Sequence, residues 1–182
     1  MIEEARLEQT EAGLAPASEG WFVMNVRDAQ WRLRPPFGSG CRFEGVDETF
    51  AFSEFGINIR VLEPGEPNCR YHRESNQEAF LVLQGEPLLL VEEQERRLKP
   101  WDFVHMPPDA THVFVGAGDG TSVILMVGTR DPHEQLVYPA SELAQRHNAG
   151  VQEETDDPQV AYSDLEPPTA GRPRSWNKLP WA

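Results

Sequence analysis

Two histidines and two glutamates carry the chemistry that this sequence offers. His72 and Glu74 are two residues apart, so on an extended strand their side chains share a face. Glu78 follows Ser75-Asn76-Gln77, a polar stretch suited to a bend, and alternates with Phe80 and Val82. A carboxylate is thereby aimed where two apolar residues point. His112 opens another extended stretch beyond the breaker Pro107-Pro108-Asp109. An antiparallel sheet that joins these segments gathers two imidazoles and one or two carboxylates in a mostly apolar interior. Buried carboxylates are costly unless paired, hydrogen-bonded or bound to a cation. A divalent metal removes that cost, because two neutral histidines and two ionised glutamates around a 2+ ion sum to zero charge.

The elements that must position these side chains read as short strands. From 56 to 130 the chain is dense in them. Ile57, Ile59 and Val61 alternate with Asn58, Arg60 and Leu62, a period of two. Phe80 to Leu83, Leu88 to Val91, Gln94 to Leu98, Trp101 to Met106, Thr111 to Val115 and Ser122 to Val127 follow, divided by turn chemistry at Gly85-Glu86-Pro87, Pro107-Pro108-Asp109 and Gly116 to Gly120. Strands at 8–12-residue intervals with such turns specify an antiparallel sandwich or barrel. Phe80, Val82, Val104, Met106, Phe114 and Leu125 are its expected filling. Residues 1–55 form an N-terminal extension in which Trp21 to Val26 reads as a strand and Arg34 to Gly40 as a loop. In residues 131–182, Ser141 to His147 reads as one short helix, with Ser141 as cap and Gly150 just past its end. The tail carries Trp176 and Trp181, which are expected to pack on the barrel or on a second subunit.

The order and spacing of these residues resemble the cupin family. Its first motif is G-x5-H-x-H-x3,4-E-x6-G. Here His72 fills the first His slot, Glu78 the Glu slot and Gly85 the closing Gly, while Gly65 lies one residue further away than the motif asks. The second motif, G-x5-P-x-G-x2-H-x3-N, matches Trp101 to Gly116 in spacing throughout. Pro107 and His112 agree by type, and Trp101, Asp109 and Gly116 replace the first Gly, the second Gly and the Asn. The 15 residues from Glu86 to Pro100 separate the motifs, as in small bacterial single-domain cupins. The resemblance implies an all-β fold: an antiparallel double-stranded β-helix, or jelly-roll barrel, at 56–130, with a short C-terminal helix and extended termini. It also implies a divalent metal, Fe, Mn, Zn or Ni, held by His72, Glu74, Glu78 and His112. Glu74 occupies the family's second His slot. It is read either as a ligand or as a general base beside a two-His-one-carboxylate triad of His72, Glu78 and His112. The implied activity is that of a metal-dependent enzyme, dioxygenase-type or sugar isomerase-type, on a small organic molecule. The alternative is a non-catalytic module that binds a small molecule or sugar.

Composition excludes several other classes. The net charge is −14, from 30 acidic and 16 basic residues, which disfavours nucleic acid and acidic lipid as partners. The most apolar run, Val123 to Val127, is too short to span a bilayer. The N-terminus lacks the basic-then-apolar pattern of a secretory signal, so a cytoplasmic location is expected. Cys41 and Cys69 are isolated and read as reduced thiols, which excludes a cysteine-rich zinc site. A homodimer is expected, because an exposed strand edge needs covering. His105, His133, His147 and Gln77 read as structural or surface residues.

Overall fold

A computed structural model describes residues 1–46 and 49–182. The strands named here are β1 (Leu7–Gln9), β2 (Leu14–Pro16), β3 (Gln30–Arg34), β4 (Phe37–Arg42), β5 (Phe55–Leu62), β6 (Arg73–Glu74) and β7 (Glu78–Gln84). They continue with β8 (Leu88–Val91), β9 (Gln94–Arg97), β10 (Phe103–Met106), β11 (His112–Val115), β12 (Ser122–Thr129), β13 (Leu136–Val137) and β14 (Thr169–Ala170). Helices are short: α1 (Glu142–Arg146) and α2 (Pro158–Ala161). Among the described residues no helix is long and apolar enough to cross a membrane.

The strands build an antiparallel jelly roll. A seven-stranded sheet runs β10-β7-β12-β5-β4-β3-β14, and a three-stranded sheet, β11-β8-β9, packs across it. The core between them joins Leu62, Phe80, Ile124 and Met126 of the large sheet to Leu89 and Phe114 of the small one. The other face of the large sheet is covered as well. Ile59, Val61 and Val123 there pack with Trp31, Trp176 and Leu179, and the partly buried Leu125 and Trp181 lie against the same cluster. The tail thus closes onto its own sheet, with Trp176 and Trp181 rings 5.3 Å and 5.4 Å from that of Trp31. Leu125 belongs to this outer layer, not to the filling between the sheets.

The short helix forms as its signals specify. Ser141 Oγ accepts from Ala144 N–H at 3.1 Å, which satisfies one of the free amides of the first turn. Its end differs in detail. The left-handed residue is Asn148, at φ 58°, with Gly150 beyond it. Two other expectations fail. Trp21 to Val26 forms no strand. Trp21 makes a single bridge to Glu4, and Trp21 and Val23 are exposed, with no sheet face to bury them. In Arg34 to Gly40 only Pro35-Pro36 turns, while Arg34 ends β3 and Phe37 to Gly40 enter β4. The glycines there serve close approach. A Cβ at Gly38 would stand 2.3 Å from Leu62 Cδ2, and one at Gly40 would stand 2.8 Å from Arg60 Nη1.

Candidate metal centre

The backbone sets two imidazoles side by side. His112 N donates to His72 O at 2.8 Å and His72 N donates to His112 O at 3.2 Å, an antiparallel hydrogen-bonded pair whose side chains share a face. Their ring centroids are 5.0 Å apart. Each Nδ1 meets the carbonyl two residues upstream: Arg70 O at 2.9 Å for His72 and Ala110 O at 3.0 Å for His112. A carbonyl only accepts, so each Nδ1 donates, and in the neutral ring Nε2 keeps its lone pair. Arg70 is itself fixed by a bidentate pair to Asp164 at 2.7 Å and by bonds to Gly150 O and Ala161 O, so the C-terminal segment anchors the loop that carries His72.

Glu78, at the start of β7, completes the group. Its Oε2 lies 3.0 Å from His112 Nε2, close to the spacing of two neighbouring donors about 2.1 Å from a shared cation. Ligand atoms of His72, Glu78 and His112 all lie within 4.8 Å of one another. Glu78 Oε2 is buried without a hydrogen-bond donor, and His112 is 2% exposed. Two nitrogen lone pairs and an orphaned carboxylate oxygen thus converge on one point. That arrangement repels itself unless a cation sits within it, and the N/O set suits a first-row divalent metal. Gly128 of β12 keeps space beside it, since a Cβ there would stand 3.4 Å from Glu78 Cγ and 3.9 Å from Glu74 Oε1.

Glu74 lies beside this group of three, near enough to be either a further donor or a base. Its Oε2 is 3.8 Å from His72 Nε2. Burial, then the negative charges of Glu78 and Glu134 and a hydrogen bond with Glu134, push its carboxyl up to about 8. His72 moves the opposite way. Burial and the neighbouring His112 push it down to about 4, against the pull of Glu78 and the Arg70 carbonyl. Asp109 N donates to Glu74 O at 2.8 Å, so the turn of the second motif fixes the backbone of the first. Asp109 and Trp101, which stand where the motif has glycine, still adopt the left-handed backbone, at φ 67° and 74°.

A cavity of about 300 Å³ opens on His72, Glu74 and Glu78. Its wall includes Asn58, Arg60, Glu134 and Gly128, none of which was singled out from sequence. The alternation of Asn58 and Arg60 with Ile57 and Ile59 was the available signal. The cavity also takes in Cys69, whose thiol burial pushes up to about 12. His105, His133 and Gln77 are exposed, and His147 pairs with Glu95 at 2.9 Å; none of the four lines the cavity.

The fold is an antiparallel jelly roll with a His-Glu-His group on one inner face that could hold a metal ion. Residues 58–128 match the sequence model of the cupin domain. A sugar phosphate isomerase of the cupin superfamily from Silicibacter pomeroyi is similar in structure, with TM-score 0.57 and 24% identity over 66% of this chain and 83% of that one. A polyketide cyclase from Streptomyces resistomycificus is similar at TM-score 0.54 and 14% identity, over 76% of this chain and 94% of the other. At these identities the likeness is one of fold. No curated protein matches the chain in sequence.

Proposed function

We propose that this protein is a metal-dependent enzyme acting on a small organic molecule. His72, Glu78 and His112 hold the divalent cation, and Glu74 moves a proton to or from the substrate. The observation that carries this reading is the convergence of two Nε2 atoms and the unpartnered Glu78 Oε2 beside a cavity of about 300 Å³. When bound, such a cation would polarise a carbonyl or hydroxyl oxygen. The residues of the chain do the rest. Carbonyl bonds to Nδ1 orient both imidazoles, and Gly128 leaves room for the reacting carbon. Without the cation, burial and the charges of Glu78 and Glu134 raise Glu74 to about 8; a cation on Glu78 would draw it down again, and Glu74 is offered as acid or base on its position beside the group. A redox-neutral, isomerase-type proton transfer is the reaction this pairing suits best. One feature favours a dioxygenase-type second reading: two histidines and one carboxylate leave coordination positions free. We take the protein as a cytoplasmic homodimer.

The test is metal analysis of protein purified without chelators, combined with deuterium uptake from D2O into a panel of small hydroxy-carbonyl compounds. About one metal per chain is expected. Glu74→Gln should keep that metal and lose exchange by about 10²–10⁴-fold. Metal lost from this variant would make Glu74 a ligand. Oxygen consumption without exchange would select the dioxygenase-type reaction, and protein that takes up none of Fe, Mn, Zn or Ni would leave a binding module.

A further inference from the structure

The inner face of β5 carries an arginine that the fold does not explain. Arg60 is half-buried, with its Nε closed off from solvent, and in a chain of net charge −14 a guanidinium so placed ordinarily has a carboxylate. Neighbouring arginines have partners of their own. Arg130 pairs with Glu44 at 2.7 Å, Arg70 with Asp164 at 2.7 Å, and Arg34 stacks on the Tyr162 ring at 4.4 Å. Arg60 has none. Among the described residues no carboxylate lies within 4.0 Å of its guanidinium, and its Nε is buried without an acceptor. Burial lowers its affinity for the proton from the ordinary value, and Arg42 adds a like charge. Gly40, its cross-strand partner, makes the room, since a Cβ there would stand 2.8 Å from Nη1. A glycine that shelters an unpaired cation is hard to explain by stability alone.

The placement supplies a purpose. Arg60 and Asn58 line the same cavity as His72, Glu74 and Glu78. On the ladder β7-β12-β5, Glu78 aligns with Gly128 and Gly56, while Val82 aligns with Ile124 and Arg60. The arginine therefore starts four residues further along the sheet and reaches in from the other side of β12. Asn58 lies between them, and its Oδ1 is also buried without a donor. One wall of the cavity thus presents an unused carboxylate acceptor, an unused amide acceptor and an unused guanidinium donor.

We propose that Arg60, backed by Arg42, binds an anionic group of the substrate, a carboxylate or a phosphate, while the far end of that molecule reaches His72, Glu78 and His112. Asn58 Oδ1 takes a hydroxyl between the two ends, so the substrate is a hydroxyl-bearing anion. This rests on the metal-enzyme reading for what happens at the far end, whereas the anion site itself does not need the metal.

The experiment titrates the full chain, as purified and after chelation, with inorganic phosphate and separately with malonate, by calorimetry. Saturable binding of one anion per chain is expected. Arg60→Gln should weaken it by at least about tenfold, as loss of a charge-assisted hydrogen bond does. Preference for phosphate assigns a phosphate ester, and preference for malonate a carboxylate. A melting temperature of Arg60→Gln equal to or above that of wild type is expected, whereas a structural arginine would lower it. Should that variant not fold, Gly40→Ala, which displaces the guanidinium, must weaken the anion instead. Equal affinity in wild type and the folded variant, or no binding of either anion, overturns the proposal. Metal uptake measured in parallel separates the two readings. Arg60-dependent anion binding in a chain that takes up no metal upholds the anion site and sinks the metal centre.

Discussion

Metal loading should change the stability of this protein by an amount that can be stated in advance. A cation that binds the folded state alone stabilises it by about 2.7 kcal/mol at one hundred times its dissociation constant. For a chain of this size each kcal/mol raises the melting point by about 2–4 °C. The metal-dependent shift is therefore about 5–11 °C, using the two conversions together. His112→Ala removes one of three converging donors and should abolish that shift. The variant also loses a buried ring packed 5.4 Å from Phe80, which lowers the metal-free baseline by about 1–3 kcal/mol. The readout must then be the difference between metal-added and chelated melts of the same variant, by differential scanning calorimetry. Glu78→Gln should act likewise, because it keeps the shape and removes the charge. An equal metal-induced shift in wild type and His112→Ala would refute the reasoning, and so would the absence of any shift in wild type with Fe, Mn, Zn and Ni.

The metal-free protein should have an unusual pH profile in urea melts. Glu74 is raised from 4.5 to about 8, so the folded state holds its proton longer and stability falls as pH rises towards 8. His72 is lowered from 6.5 to about 4, so the unfolded state takes its proton first and stability falls as pH drops below 6.5. The two effects offset between about 4.5 and 6.5, so stability should be level there and fall from about 6.5 towards 8, and a profile that rises monotonically to pH 8 would contradict it. Gly128→Leu should leave the fold intact but abolish substrate or anion binding, since its side chain would enter the space beside Glu78 and Glu74; unchanged binding isotherms would show that the cavity is not used. Trp101→Gly should raise the melting point, because Trp101 is 73% exposed at φ 74° and relief of that backbone is worth about 1 kcal/mol.

The clustering of His72, Glu78 and His112 was legible because its determinants are local. Glu78 follows a bend and alternates with the apolar Phe80 and Val82, which mark its face as the inner one, and His112 opens a strand after a double proline. The tightest group is His72, Glu78 and His112, with Glu74 Oε2 3.8 Å from His72 Nε2 beside it, a ranking that spacing does not contain. Strand positions from 55 to 129 could be read from turns. Trp21 to Val26 could not, because apolar and aromatic composition alone does not supply a pairing edge. The β4 glycines looked like breakers because their reason lies across the sheet, in Leu62 and Arg60.

The β5 strand shows why the rest of the site was hidden. A period of two says which residues share a face, but not which face lies inside. Ile57, Ile59 and Val61 look like the inner set and Asn58 and Arg60 like the wet set. The tail reverses this, because Trp176, Leu179 and Trp181 bury the aliphatic face from outside and free the opposite one to be polar within the jelly roll. The sheet can line its interior with an arginine and an asparagine only because a second apolar layer, some fifty residues downstream of β12, supplies the burial that those positions give up. The tryptophans of the tail and the polar wall of the cavity are two ends of one arrangement: the first makes the second affordable in stability, and the second is what the chain does with it.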